Sequence, residues 1–209
     1  MSSMFDNTKI VGGAFFVVGI LQIVAAILVI IAGFGDPATI DGEPVEHWKE
    51  ICIVSGIGSL ICACLYFFFA VKVYNGTISQ KINILASYVR IVGVITIIAG
   101  IFDAIAVFVA GGGLGGALVT AIITIIIGLI IMFIAGKIVD GKQTVGDKII
   151  WIILLVVFVL KLIVEALGIF GSFNPLSISG IVSGIAGVII ALFMIAFLFD
   201  PEVKSEMNM

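Results

Sequence analysis

The sequence predicts an all-α membrane protein whose six transmembrane helices form three Gly-rich helical hairpins. The chain of 209 residues is 62% hydrophobic and only 11% charged, with a mean hydropathy of +1.40. A soluble domain of this size needs a more polar surface. The apolar runs are also long enough to cross a bilayer core of about 30 Å, which takes about 20 helical residues. We therefore treat residues 1–209 as a single integral membrane domain.

Six apolar spans follow one another between short polar segments. We expect them at 9–33, 51–74, 82–110, 117–139, 149–170 and 177–199. The first is too long and too apolar for a cleaved signal peptide, so it is read as a retained helix. The longest connection, 34–50, is acidic, and Pro37 and Pro44 keep it irregular. Asp200-Pro201 is expected to end the sixth helix and to leave a short acidic tail.

An internal repeat groups the spans in pairs. Spans two, four and six carry small residues at i, i+4 and i+8, which lie on one face of a helix. This stripe consists of Ser55, Ser59 and Ala63, then Thr120, Thr124 and Gly128, then Ser179, Ser183 and Gly187. Lys9-Ile-Val-Gly12 also matches Arg90-Ile-Val-Gly93. The matches predict hairpin repeats at about 9–76, 82–141 and 148–200, arranged as a pseudo-threefold parallel repeat rather than an inverted one.

The small-residue stripes allow two interpretations. In lipid, small residues let helix backbones approach closely, and hydroxyl groups can form hydrogen bonds across the contact. Close packing that holds the bundle together is the simpler role. The alternative is that the three stripes line a central polar path.

Ionisable side chains inside the spans are the strongest candidates for functional residues. Each costs at least about 2.5–3.5 kcal/mol when it is isolated in the membrane. Lys161 and Glu165 are four residues apart and can pair on one helix face. The expected intramembrane polar cluster consists of Gln22, Arg90, Asp103, Lys161 and Glu165. It acts either as a proton or cation relay or as a structural cluster that fixes how the hairpins dock.

Features of catalysis and of cofactor binding are not found in the sequence. It contains no H-E-x-x-H, G-x-S-x-G, P-loop or dinucleotide motif, so we expect no enzyme, no cofactor and no metal site. His47 with Glu46 and Glu50 is a weak metal-binding pattern in an acidic loop. Trp48 and Trp151 are expected to be interfacial anchors. The net charge of −3 and the lack of a basic tract argue against nucleic acid as a partner.

The distribution of lysines predicts the orientation in the membrane. Seven lysines lie near helix ends on the side that holds both termini, whereas Lys49 alone lies on the other side. The positive-inside rule then places both termini in the cytoplasm and the 34–50 loop outside, in a plasma or cytoplasmic membrane.

These features favour a non-enzymatic structural, accessory or assembly subunit that packs through small-residue helix faces. Its expected partners are the lipid bilayer and either further copies of itself or other membrane subunits. The alternative is a small transporter or channel that uses Asp103, Lys161 and Glu165 to move protons or cations. A hydrated cavity that reaches Asp103 and Glu165 would favour the alternative. In architecture alone, six short helices in Gly-rich hairpins resemble HdeD-like membrane proteins.

Overall fold

The computed structural model describes residues 4–40, 43–111, 115–138, 145–173 and 177–209. Within these ranges the chain forms seven α-helices: α1 (Thr8–Ala32), α2 (Trp48–Tyr74), α3 (Lys81–Val109), α4 (Gly116–Ile138), α5 (Val145–Gly171), α6 (Ile178–Leu198) and α7 (Pro201–Glu206). A 3-10 turn at Met4–Asp6 precedes α1. In the loop after α1, two-residue strands β1 (Thr39–Ile40) and β2 (Glu43–Pro44) pair in antiparallel fashion.

Helices α1 to α6 are each long and apolar enough to span a membrane, which confirms the predicted class of all-α polytopic membrane protein. The first turn of α2 begins earlier than expected, where the Trp48 indole donates a hydrogen bond to the Ala32 carbonyl oxygen (3.1 Å). The acidic tail was not predicted to be helical. Instead, Asp200 caps α7 by accepting from the Glu202 backbone N–H, with Pro201 in the first helical turn.

The six long helices are arranged in their sequence order around a ring. Each helix packs against the next one in the chain, and α6 returns to pack against α1. The seam between α4 and α5 is the exception, because these two helices barely touch in the part of the chain that the structure describes. The bundle is therefore an incomplete ring with one loosely closed side.

A close backbone contact at a stripe residue joins α3 to α4. A Cβ atom at Gly128 would lie 2.8 Å from the Gly93 carbonyl oxygen, and one at Gly93 would lie 2.9 Å from the Gly128 carbonyl oxygen. Real Cβ contacts are longer than this, so the two backbones can approach only because both residues are glycines. On α4 the stripe therefore serves packing at Gly128.

The apolar core lies in the half of the bundle nearest the termini. Its largest fully buried side chains are Val11, Phe15, Val18, Phe69, Val73, Ile84, Leu85, Tyr88, Met194, Phe197, Leu198 and Met207. Phe5, which precedes α1, stacks edge-on against Phe193 and Phe197 of α6 at centroid distances of 5.4 and 5.2 Å. The opposite half of the bundle contains smaller side chains and is less well filled.

A buried lysine ties both chain ends to this core. The Lys81 ammonium, at the start of α3, pairs with Asp6, Asp200 and Glu202. Its distances to the two Asp200 carboxylate oxygens are 3.0 and 3.1 Å. We call Met4–Asp6, α7 and Lys81 the terminal cap. It closes the end of the bundle where both termini lie.

Candidate functional site

The centre of the site is an ion pair on the middle of α5. The Lys161 ammonium donates to a Glu165 carboxylate oxygen at 2.6 Å, the contact that their i, i+4 spacing predicts. The Lys161 side chain is 36% exposed and the Glu165 side chain 24%. Pairing lowers the cost of both charges at this depth, because an isolated charge is costly in lipid.

Gly187 of α6 provides the space that Glu165 occupies. A Cβ atom at position 187 would lie 2.6 Å from both the Cγ and the Oε2 of Glu165. Gly187 is one of the predicted stripe residues. Because Gly187 has no side chain, the Glu165 side chain of α5 can pack directly against the α6 backbone.

A deep cavity of about 190 Å³ lies beside this pair, near the middle of the membrane-spanning helices. Helices α1, α2, α3, α5 and α6 all contribute to its wall. Its polar wall residues are Gln22, Cys62, Tyr66, Thr96 and Lys161. Because Lys161 lines the cavity and Glu165 lies against Gly187, the pair presents its ammonium to the open space.

Two further cavities extend from the deep cavity towards the α1–α2 loop. A middle cavity of about 180 Å³ shares Gln22 with the deep cavity and is lined also by Ser59 and Ser183. An outer cavity of about 650 Å³ shares Ser177 and Ser179 with the middle one and is walled by loop residues that follow α1. Neighbouring cavities in this series share wall residues, and we call the three together the cavity path.

The cavity path is closed on the side of the termini by a layer of buried rings. We define this aromatic layer as Phe15, Tyr66, Phe69, Tyr88 and Phe158. The Tyr88 ring centroid lies 5.7 Å from that of Phe15, 6.0 Å from that of Tyr66 and 5.9 Å from that of Phe158. Such centroid distances are those of packed aromatic pairs. The aromatic layer therefore separates the deep cavity from the terminal side of the bundle, and the middle and outer cavities lie on the α1–α2 loop side.

Not all members of the predicted polar cluster come together. Gln22 lines both the deep and the middle cavity, and it shares the wall of the deep cavity with Lys161. Asp103 is exposed on α3, and it forms no ion pair within the described residues. It lies seven residues beyond Thr96, about 10 Å further along the helix axis. Arg90 is exposed nearer the start of α3 and lines a separate cavity.

The three small-residue stripes have different surroundings and different roles. Those of α2 and α6 line the cavity path through Ser59, Ala63, Ser179, Ser183 and Gly187. On α4, the hydroxyls of Thr120 and Thr124 donate to carbonyl oxygens of their own helix, at 3.0 Å in each case. A shared sequence pattern therefore does not give a shared function, because the neighbour of each helix differs.

Two further expectations are affected by the structure. Trp151 is not an interfacial anchor on the lipid surface: it is 5% exposed, and its indole donates to the Leu198 carbonyl oxygen at 2.9 Å. Residues 139–144, between spans four and five, and residues 174–176, between spans five and six, lie outside the described residues. Within the described ranges, no group of three or more His, Cys, Asp or Glu side chains is placed to hold a metal ion.

Sequence reasoning missed two parts of this arrangement. The tyrosines of the aromatic layer look like ordinary apolar core residues in the sequence, and no spacing marks them. The contacts of the terminal cap have no signal in the sequence either, although the start of α7 does, because Asp200-Pro201-Glu202 has the composition of a helix start. Comparison with known proteins adds nothing to the site: no protein family, curated protein or solved structure matches the chain.

Proposed function

We propose that this polytopic membrane protein is a small transporter or channel that admits protons or other small ions from the side of the α1–α2 loop. The observation that carries the proposal is the cavity path, which ends at Lys161 in the middle of the bundle. A cluster that served only to hold helices together would not need access from one side. The proposal requires no enzyme chemistry and no cofactor.

The ion pair suits this role because it can exchange charge with the cavity. When Glu165 takes up a proton it becomes neutral, and Lys161 then lacks a counter-charge 2.6 Å away. The ammonium must attract an anion into the cavity or release its own proton. Protonation of the pair is thereby coupled to the charge state of the cavity, as in the carboxylate relays of pumps and transporters.

The aromatic layer would act as the gate of such a protein. Access to a central site from one side at a time is the principle by which transporters avoid a continuous leak. In this conformation the three cavities lie on the α1–α2 loop side of the aromatic layer, and the rings of that layer are buried. Passage requires the aromatic layer to open and the terminal cap to move.

Proton flux in proteoliposomes tests the proposal. The purified protein is reconstituted with an entrapped pH dye, and flux is driven by a potassium diffusion potential. We expect Glu165→Gln and Lys161→Met to reduce flux to the level of protein-free liposomes. Asp103→Asn is the matched control, because Asp103 is a carboxylate of the same bundle that lines none of the three cavities. Its flux should remain that of the wild type.

Two results would contradict this proposal. One is wild-type flux no greater than that of protein-free liposomes under every ion gradient tested. The other is an equal loss of flux in Asp103→Asn and Glu165→Gln, which would mean that the path does not pass the ion pair. Melting temperatures of all three variants separate a lost function from a lost fold.

A second candidate is the assembly subunit, and one observation favours it. Helices α4 and α5 barely touch each other, and both expose many large apolar side chains, among them Phe133, Leu160 and Leu167. In this case the ion pair is structural, so Glu165→Gln should destabilise the fold and Lys161→Met with Glu165→Leu should restore much of the loss. Self-association, or association with other membrane subunits, would then be visible as a larger particle mass in detergent.

The sidedness of the molecule and the threefold repeat remain predictions from the sequence. Cytoplasmic termini and an external 34–50 loop rest on the positions of the lysines. If they are right, the cavity path opens to the outside of the cell.

A further inference from the structure

A fourth cavity lies towards the other end of the bundle, on a polar face of α3. Gln80, Asn83, Ser87 and Arg90 follow each other at intervals of three, four and three residues, which places them on one side of the helix. Lipid tails would favour apolar side chains on an outer helix face. A polar stripe over the first three turns of a membrane-spanning helix therefore calls for a polar neighbour.

These four side chains line a cavity of about 400 Å³ together with Thr77 and Ser79 of the α2–α3 turn. We call it the headgroup cavity. Among the residues that the structure describes, no acidic side chain lines it. Its polar wall consists of hydroxyl groups, two amides and one guanidinium, and all of these can donate hydrogen bonds.

Arg90 is the only arginine of the chain, and it has no counter-charge here. It is exposed, and within the described residues it forms no ion pair. It lies nine residues from the start of α3, about 13 Å along the helix axis. An unpaired guanidinium at that depth is costly unless it reaches the interface or binds an anion.

We propose that the headgroup cavity binds the phosphate group of an anionic phospholipid. A guanidinium recognises phosphate through two parallel N–H donors, and nearby hydroxyl and amide groups can satisfy the remaining oxygens. Basic pockets at the ends of transmembrane helices bind anionic headgroups in this way. The cavity runs from the turn down an outer helix face, so a lipid can supply the phosphate while its tails remain in the bilayer. The proposal is independent of transport.

The test measures thermal stability in a neutral detergent with added lipid. A ligand that binds only the folded state raises the melting temperature. We expect phosphatidylglycerol to raise it and phosphatidylcholine at equal concentration not to. The rise should be lost in Arg90→Gln and reduced in Ser87→Val. Lys137→Gln is the matched control, because Lys137 is an exposed cation near the same end of the bundle that does not line the cavity. It should keep the full rise.

A parallel arm with sodium phosphate separates the two sources of the phosphate group. No rise with sodium phosphate supports a lipid ligand, whereas an equal, Arg90-dependent rise would overturn the lipid assignment in favour of free phosphate. Native mass spectrometry provides a second readout, with bound phosphatidylglycerol expected on the wild type and not on Arg90→Gln. The proposal is wrong if the wild type shows no rise with phosphatidylglycerol, or if Arg90→Gln and Lys137→Gln respond alike.

Discussion

The absence of a side chain at Gly187 allows Glu165 to occupy the position in which it pairs with Lys161. The Glu165 side chain rests against the α6 backbone at a point where a Cβ atom would come within 2.6 Å of its Cγ and Oε2. The atoms in conflict belong to the flexible end of a long side chain, so the helices themselves need not separate. A methyl group at this position would instead turn the carboxylate away from α6 and alter its contact with Lys161.

We therefore expect Gly187→Ala to reduce proton flux while the melting temperature stays close to that of the wild type. Alanine also favours a helix over glycine by up to about 1 kcal/mol, which offsets part of the strain. Gly168→Ala on α5 is the control, since nothing lies within 4 Å of a Cβ there, and it should leave flux unchanged. Wild-type flux in Gly187→Ala would mean that the position of Glu165 is unimportant.

At the scale of residues, the sequence predicted contacts within one helix better than contacts between helices. The pairing of Lys161 with Glu165 follows from the pitch of an α-helix and needs no tertiary information. The expected meeting of Asp103 with Glu165 depended on how α3 and α5 are rotated and on their separation. That docking is decided by side chains such as Tyr88 and Phe158, whose rings pack between the two helices.

At the scale of elements, close glycine contacts hold α3 and α4 together. A side chain at Gly128 must push against the Gly93 carbonyl oxygen and the Ile97 backbone nitrogen, at 2.8 and 2.9 Å. These are backbone atoms, which cannot move without shifting the helix. The contact therefore limits how far α3 and α4 can adjust.

Gly128→Ala should destabilise the protein by about 1–3 kcal/mol, the usual cost of overpacking a well-packed contact. Gly136→Ala on the same helix is the control, because a Cβ there meets nothing within 4 Å. We expect it to be neutral or slightly stabilising. Unfolding in a denaturing detergent measures both variants, and equal midpoints would show that the α3–α4 contact is looser than the structure indicates.

The terminal cap gives a second prediction at this scale. Asp200 has a fully buried side chain, whereas Asp6 and Glu202 are 45% and 55% exposed. Lys81→Met leaves the buried carboxylate without its ammonium, and loss of one partner of a buried pair costs about 3–5 kcal/mol. Removal of an exposed partner, as in Asp6→Asn, should cost no more than about 1 kcal/mol.

Lys148→Met, at an exposed lysine near the start of α5, is the control for this measurement. It removes the same charge and should leave the unfolding midpoint unchanged. A midpoint for Lys81→Met equal to that of Lys148→Met would show that the cap does not contribute to stability.

The six long helices were predictable, and the cap was not. Hydropathy and length suffice to predict a membrane span, because every spanning helix must cross a bilayer core of similar thickness. The cap brings together Asp6, Lys81 and Asp200, which are far apart in the sequence. It forms only because the chain segments that hold them meet at the same end of the bundle. Sequence periodicity carries no information on such a meeting.

At the scale of the whole molecule, the two halves of the bundle are built differently. Large aromatic and aliphatic side chains fill the half near the termini, and the terminal cap seals it. Small residues of α2 and α6 leave the other half open along the cavity path. The proposed one-sided access to the ion pair rests on this asymmetry.

Two native cysteines test the asymmetry most directly. Cys62 lines the deep cavity beside Lys161, whereas Cys64 is exposed on the outer, lipid-facing surface of the same helix. Variants that retain one of them, with Cys52 and the other replaced by alanine, are treated in membranes with a small, impermeant methanethiosulfonate. One-sided access requires that Cys62 is modified from the α1–α2 loop side and that Cys64 is not. Failure to modify Cys62, or equal modification of both cysteines, would contradict it.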